Sequence, residues 1–481
     1  MNTNNLLNNI ILDSDSYKYS HWVQYPKGTT GLFSYIEARG TTAGADYNIF
    51  FGLQDYIKNF LSQKITHADV DAAKAIIEAH GEPFNEADWR YIVDKYDGYL
   101  PVRIRAAKEG TKIPVSNVMV TAESTDPNCA WLESFLETAL LRAVWYPTTV
   151  ATNSHYCKQI IMDSLRRTSD DPEAEIGFKL HDFGARGVSS RESAAIGGMA
   201  HLVNFMGTDT ISGIIRAMQS YDSGVCGFSI PAAEHSTITS WGKEREYDAY
   251  LNMVEQYAAP GKIFAVVSDS YDIYNAVRNI WINGGLLAMV KARGATVVIR
   301  PDSGDPTKVP IEIIDIIANE YGYTVNSKRF KVLPSEVRVI QGDGITPQTL
   351  KIILENLEAA GYSASNIAFG MGGGLLQMVN RDTYKFAMKC SAAKVDGQWI
   401  DVFKQPVGDT SKKSKRGRIT LAKDRISGDI STQLVEVIQE EGTTGYNKYE
   451  DLMHTVYENG PVAEAYEDFA TIRARANSSI I

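Results

Sequence analysis

Four short stretches hold residues whose types and spacing suit phosphate chemistry. In "IPAAEHSTIT", residues 230–239, His235 follows Glu234 where an apolar run stops and a helical pattern starts. A neutral imidazole placed there can attack a phosphoryl group or bond to one. A structural helix-end residue and a metal ligand are the alternatives, and the second lacks companions, since no H-x-x-x-H or similar spacing occurs. In "VVIRPDSGDP", residues 297–306, Arg300 stands two residues before Asp302. A guanidinium can hold a diphosphate through two parallel bonds, and a neighbouring carboxylate can hold Mg²⁺ where the metal also touches phosphate. A structural Arg–Asp pair is the alternative. The glycine loops "GMGGGLLQ", residues 370–377, and "QGDG", residues 341–344, favour the phosphate reading. Bare backbone N–H groups ahead of a helix bind anions, and Asp343 can accept from sugar hydroxyls. No G-x-x-x-x-G-K-[ST] loop and no G-x-G-x-x-G fingerprint occurs, which disfavours a P-loop ATPase or a dinucleotide domain.

These residues share a position in a rhythm that begins near residue 177. Short apolar runs end on polar groups and helical patterns follow. The runs end at His181 and Asp182, at Asp209, at Glu234 and His235, at Asp269, at Arg300 and Asp302, at Asp343, and at the glycine cluster. Between them, Ile211, Ile214, Ile215 and Met218 keep helical spacing, as do Leu350, Ile353, Leu354 and Leu357. Thr346 and Pro347 form an N-cap and N1 pair. About seven such units imply a parallel α/β barrel-like domain with functional groups at the C-terminal ends of its strands. Outside this stretch the pattern changes. Residues 386–404 read as a hairpin turning at Asp396-Gly397, and the first part of the chain mixes helices with short strands. The expected division is an N-terminal α+β domain over 1–165, a catalytic barrel over 176–385, and a C-terminal segment over 386–481 that packs with the N-terminal domain. "RRTSDDPEAE", residues 166–175, is the clearest linker candidate.

The 481 residues are 44% hydrophobic and 22% charged, as in ordinary globular proteins. No window approaches the roughly 18 apolar residues of a membrane span. The N-terminus lacks the features of a signal peptide. A net charge of −10 speaks against general nucleic-acid binding. Cys129, Cys157, Cys226 and Cys390 stand singly, which fits a reducing cytoplasm rather than a disulfide scaffold. One basic run, "SKKSKRGR" at 411–418, reads by itself as a solvated loop.

The blocks "DSYKYSHWVQYP", "LHDFGARGVSS", "NFMGTDT", "PAAEHSTITSWGK", "VVSDSYDIYNA", "IRPDSG", "VIQGDG" and "AFGMGGGLLQ" occur in this order along most of the chain. Together they resemble the nicotinate/nicotinamide phosphoribosyltransferase family, and specifically a bacterial or phage-type member of its nicotinamide branch. The resemblance implies a type II phosphoribosyltransferase fold and a cytoplasmic homodimer with shared active sites, binding neither nucleic acid nor membrane. It implies nicotinamide, 5-phosphoribosyl 1-diphosphate and ATP as substrates, Mg²⁺ as cofactor, and a role in NAD salvage. By the same resemblance His235 carries a transient phosphoryl group, and Arg186 and Arg300 contact diphosphate or phosphate. Asp302, which would also hold the metal, joins Gly342, Asp343, Gly373 and Arg381 around the ribose phosphate. Asp209 would bind the carboxamide, while Phe183 and Tyr17 of a second subunit sandwich the pyridine ring. Ser229, Asp269 and Gly372 complete the substrate-binding set, and Lys389, Lys404 and Lys412 match basic residues near the phosphates. The last of these moves the basic run toward the edge of the site. Ala387 stands where the mammalian enzyme has a serine, and Ala185 where it has a tyrosine. Two rival readings are a nicotinate-specific enzyme and a non-catalytic phosphate-binding protein on the same scaffold.

Overall fold

The computed structural model describes residues 3–404, 414–443, 448–478 and 480. The chain divides into two units. One comprises 1–152, 217–223 and 380–479; the other comprises 153–216, 224–379 and 480–481.

The second unit is built on six parallel strands: β1 (Leu180–Asp182), β2 (Gly207–Thr208), β3 (Ile263–Val267), β4 (Thr296–Arg300), β5 (Val337–Gln341) and β6 (Ile367–Met371). Their spatial order is β2-β1-β6-β5-β4-β3. The sheet curls, and the extended segment 228–232 joins its two edges. Phe228 N–H donates to Met206 O at 2.7 Å and Thr208 N–H donates to Phe228 O at 3.0 Å. At the other edge Ala265 N–H donates to Pro231 O at 2.9 Å and Ala233 N–H to Ala265 O at 3.0 Å. Seven parallel segments therefore form a ring in chain order, the arrangement expected of a β/α barrel.

The covering helices follow from their apolar spacing. On Pro347–Ala359, Leu350, Ile353, Leu354 and Leu357 are all buried, and Thr346 Oγ1 accepts from Thr349 N–H at 3.2 Å with Pro347 at N1. The helix Ile211–Ser220 departs from this rule. Ile214 is buried, but Ile211, Ile215 and Met218 are exposed.

The first unit carries a six-stranded antiparallel sheet whose central strands are Thr29–Ala38 and Val118–Ser124. Its edge is the hairpin of Phe386–Val395 with Gln398–Asp401. Asp396 and Gly397 turn it with φ of 49° and 81°, the left-handed pair that a two-residue hairpin requires. The polar stretch 166–175 is not a linker. Arg167 pairs with Glu358 at 2.9 Å, Ser327 N–H donates to Asp170, and Asp171 caps the helix Pro172–Glu175. Charged side chains with fixed partners hold this segment against the barrel unit.

Candidate active site

The C-terminal ends of the barrel strands gather the chemistry. His235 opens the short helix His235–Thr239, whose entry is fixed when Glu234 N–H donates to Thr237 Oγ1 at 3.2 Å. The ring reaches toward β3, where its Nε2 lies 2.9 Å from Asp269 Oδ1. Its Nδ1 lies 4.0 Å from Asp302 Oδ2. Asp269 is the buried hub of this group, since its other oxygen accepts from Asp302 N–H at 3.1 Å. Burial raises its pKa, but bonds from Ser303, His235 and Asp302 N–H outweigh that and hold the carboxyl below its usual value. Asp269 is therefore ionised at neutral pH and can only accept, so Nε2 carries the proton that the two share. Arg300 Nε is 3.6 Å from Asp302 Oδ1, too long for a hydrogen bond, and is buried without a partner. A buried guanidinium nitrogen without an acceptor is suited to receive an anion.

A second cluster faces the barrel interior. Asp209, just past β2, is exposed, and its Oδ1 accepts from Ser229 Oγ at 2.5 Å. Phe183 follows β1, and its N–H donates to Met371 O at 3.0 Å. Phe183, Asp209, Ser229 and Arg300 line one end of a cavity of about 700 Å³ inside the barrel. Its other end, at the N-terminal side of the strands, is lined by Glu175, Lys179 and Arg338. Lys179 is buried there, 3.0 Å from Glu175 and donating to the carbonyls of Ala364, Ser365 and Ile367 at 3.0–3.2 Å. Burial pushes its pKa down against the pull of Glu175.

The glycine loops divide their work. A Cβ on Gly370 would fall 2.0 Å from Phe183 Cε2, and one on Gly342 would fall 3.3 Å from the same atom. Gly370 therefore seats an aromatic ring rather than a phosphate. Around Gly373 a Cβ would meet nothing within 4 Å, which leaves the backbone open to a ligand. Gly372 begins the turn into the helix Gly373–Leu376, and the Arg186–Gly187 turn packs against it, with a Gly187 Cβ 3.7 Å from Gly373 Cα. Asp343, exposed after β5, sits in a turn where Gln341 Nε2 donates to its carbonyl at 2.9 Å.

Thus the barrel unit holds His235, Asp269, Arg300, Asp302, Phe183, Arg186, Asp209, Ser229, Gly342, Asp343, Gly372 and Gly373. Tyr17, Arg381, Lys389 and Lys404 belong to the other unit. There, burial pushes the Lys389 pKa down, Glu137 pulls it up, and Arg39, Arg381 and Lys18 lower it further, so four cations share one locality. Tyr17 is 54% exposed, with its ring centroid 4.9 Å from that of His21 and Lys18 Nζ 5.3 Å from the same ring. Lys404 N–H donates to Ser414 Oγ at 2.8 Å. Lys412 lies outside the described residues.

Sequence reasoning named no role for Lys179, His181 or Arg338, all of which line the cavity. The signal was present for two of them, because Lys179, His181 and Phe183 alternate along β1 and so share its inner face. No three His, Cys, Asp or Glu side chains among the described residues converge as a metal cage. Mg²⁺ bound mainly through substrate phosphates needs only one or two carboxylates, and Asp302 offers one whose oxygens have no close partner within 3.5 Å.

Residues 178–461 match the model of the nicotinate phosphoribosyltransferase family. The chain belongs to that family. Residues 9–104 also match the model of the nicotinamide phosphoribosyltransferase N-terminal domain. Nicotinamide phosphoribosyltransferase of Xanthomonas campestris pv. campestris is 56% identical over 98% of this chain and 99% of its own. The enzyme of the same name from Acinetobacter baylyi is 31% identical, covering 93% of each chain. Among solved structures, human nicotinic acid phosphoribosyltransferase superposes with a TM-score of 0.59 at 16% identity, covering 97% of this chain and 93% of that one. A nicotinate-nucleotide pyrophosphorylase from Pyrococcus furiosus gives 0.60 at 14% identity, covering 99% and 96%. At such identities the likeness shows the fold alone. The mixed α/β barrel expected from the strand rhythm is the fold of this family.

Proposed function

We propose that the chain is a nicotinamide phosphoribosyltransferase acting in NAD salvage. The pyridine nitrogen attacks C1′ of 5-phosphoribosyl 1-diphosphate, the C1′–O bond to diphosphate breaks, and nicotinamide mononucleotide and diphosphate leave. The nucleophile is already neutral and unprotonated, so no general base is required. Catalysis rests on placing the ring and on stabilising the charge that builds on the leaving group. The observation that carries the base assignment is Asp209. It is an exposed carboxylate at the cavity end, with one oxygen taken by Ser229 and Phe183 lining the same end. A free carboxylate oxygen accepts from a carboxamide N–H₂ and repels a carboxylate, which favours nicotinamide over nicotinate.

The His235 geometry supports ATP assistance. Asp269 holds Nε2–H, so the Nδ1 lone pair can form the N–P bond to the γ-phosphorus while the P–O bond to ADP breaks. Asp269 stabilises the positive charge that develops on the ring. Arg300 supplies donors to the diphosphate. Asp302 would hold Mg²⁺, which would supply positive charge to stabilise the leaving group. We also infer a homodimer in a reducing cytoplasm. The uncovered apolar side chains of Ile211, Ile215 and Met218 and the exposed ring of Tyr17 support a second subunit, and the four free cysteines fit the compartment.

The deciding experiment offers nicotinamide and nicotinate separately in a coupled assay. Strong preference for nicotinamide, eroded in Asp209→Asn, is expected; equal turnover of both bases by the unaltered protein would overturn the assignment.

A further inference from the structure

Asp182 ends β1 and is fully buried, yet nothing in the reaction as drawn uses it. Its Oδ1 accepts from Gly184 N–H at 2.7 Å, closing a turn across Phe183. Phe183 itself is tied on the far side to Met371 O, and Gly184 is wedged so that a Cβ there would fall 2.7 Å from Leu376 Cγ and 3.0 Å from Gly372 O. The turn therefore has one available path, and the Asp182 side chain closes it. The same residue also governs the neighbouring strand end. Its carbonyl accepts from Asp209 N–H at 2.9 Å, in a register that sets Asp182 beside Thr208. The hydroxyls of Thr210 and Thr208 face its carboxylate and, with Gly184 N–H, offset part of the effect of burial on it. Gly198 of the helix Arg191–Leu202 lies over the group, where a Cβ would come within 3.3 Å of Oδ2 and 2.8 Å of Thr210 Cγ2. Oδ2 and Thr210 Oγ1 are buried without a hydrogen-bond partner. A core position with no task would hold an apolar side chain at lower cost.

We propose that Asp182 is the positioning residue of the base pocket, setting Phe183 through the turn and Asp209 through the Thr208–Thr210 strand end. This rests on the reading that Phe183 and Asp209 contact the nicotinamide. Two arms of one recognition site thus hang on one buried carboxylate, so loosening it degrades ring stacking and carboxamide alignment together. Arg300, Asp302 and His235 are positioned by other elements and keep their places.

The test is steady-state kinetics of the full-length protein with each substrate varied in turn. Asp182→Ala should raise the KM for nicotinamide by about tenfold or more while that for 5-phosphoribosyl 1-diphosphate moves less than about threefold. Asp182→Asn, which keeps the acceptor for Gly184 N–H, should return most of the loss. Thr210→Val, which removes the facing hydroxyl at nearly constant volume, should raise the nicotinamide KM a few-fold on its own. It provides the reading if the alanine variant does not fold. Equal rises for both substrates, an asparagine variant no better than alanine, or no effect of Thr210→Val would overturn the proposal. Phe183→Ala and Asp209→Ala run beside these. If they leave the nicotinamide KM unchanged, the base assignment itself falls and the inference with it; if they raise it and Asp182→Ala does not, the inference alone falls.

Discussion

His235 has one ring nitrogen bonded to Asp269 and the other 4.0 Å from Asp302 Oδ2, beyond hydrogen-bond reach, and that asymmetry separates two roles. Phosphoryl capture needs the second nitrogen, whereas transfer to the base does not pass through the ring. His235→Ala should lose ATP hydrolysis and the gain in nicotinamide affinity that ATP brings, while slow transfer survives at high substrate. Incubation with γ-labelled ATP checks this: an acid-labile, alkali-stable label should form on the parent and vanish in the variant. Label persisting in His235→Ala would reduce the histidine to a pocket-shaping residue. Asp182 makes a second residue-scale prediction. Burial raises its pKa to about 6, with the bond from Gly184 N–H and the facing Thr210 hydroxyl only partly opposing. A carboxyl with a raised folded pKa binds its proton more tightly in the folded chain. Stability therefore falls as pH rises from the unfolded value near 4 through about 6, by roughly 3 kcal/mol at full effect. Asp182→Asn lacks this dependence. Its melting temperature relative to the parent should be higher at pH 7.5 than at pH 4.5, and a constant difference would count against a buried ionised carboxylate.

At the scale of the elements, the loop after β6 places two glycines of one run in different settings. Gly370 is bare because Phe183 lies where its Cβ would be, and Gly373 is bare beside open space. The two positions should therefore fail differently. Gly370→Ala should displace the ring and raise the nicotinamide KM by about tenfold or more. Gly373→Ala should fold normally and affect the KM for 5-phosphoribosyl 1-diphosphate more than that for nicotinamide. Kinetics and thermal unfolding of the two variants, side by side, decide this; identical kinetic profiles would mean that the loop acts as one phosphate cradle.

At the scale of the whole molecule, the chain crosses between its units several times, and residues 217–223 belong with the unit built from both chain ends. The candidate site residues are shared between the units in the same way, with Tyr17, Arg381, Lys389 and Lys404 outside the barrel unit. If Tyr17 completes a site on a second subunit, two inactive proteins should rescue each other. Mixing Tyr17→Ala with Arg300→Ala under conditions of subunit exchange should return some activity, because one site of each hybrid dimer then contains neither change. No recovery after proven exchange would mean that Tyr17 and Arg300 serve the same subunit.

By itself, the order of residues determined the local chemistry. The strand-end rhythm announced a parallel β/α barrel, the Leu350–Leu357 spacing its buried helix, and Asp396-Gly397 its hairpin, because period and turn type depend on near neighbours. His235, Arg300 and Asp302 stood out as candidates from residue type together with their position at the ends of apolar runs. Only the tertiary structure decided which nitrogen of His235 is occupied, since Asp269 is 34 positions away and meets it through barrel closure. The polar stretch 166–175 read as a linker because its partners, Ser327 and Glu358, lie more than 150 residues on. A similar distance separates Gly370 from Phe183, and Asp182 depends on Thr208 and Thr210 at the neighbouring strand end. Each depends on atoms that a parallel sheet brings alongside from another strand, and pairing between strands leaves no periodic mark in either of them.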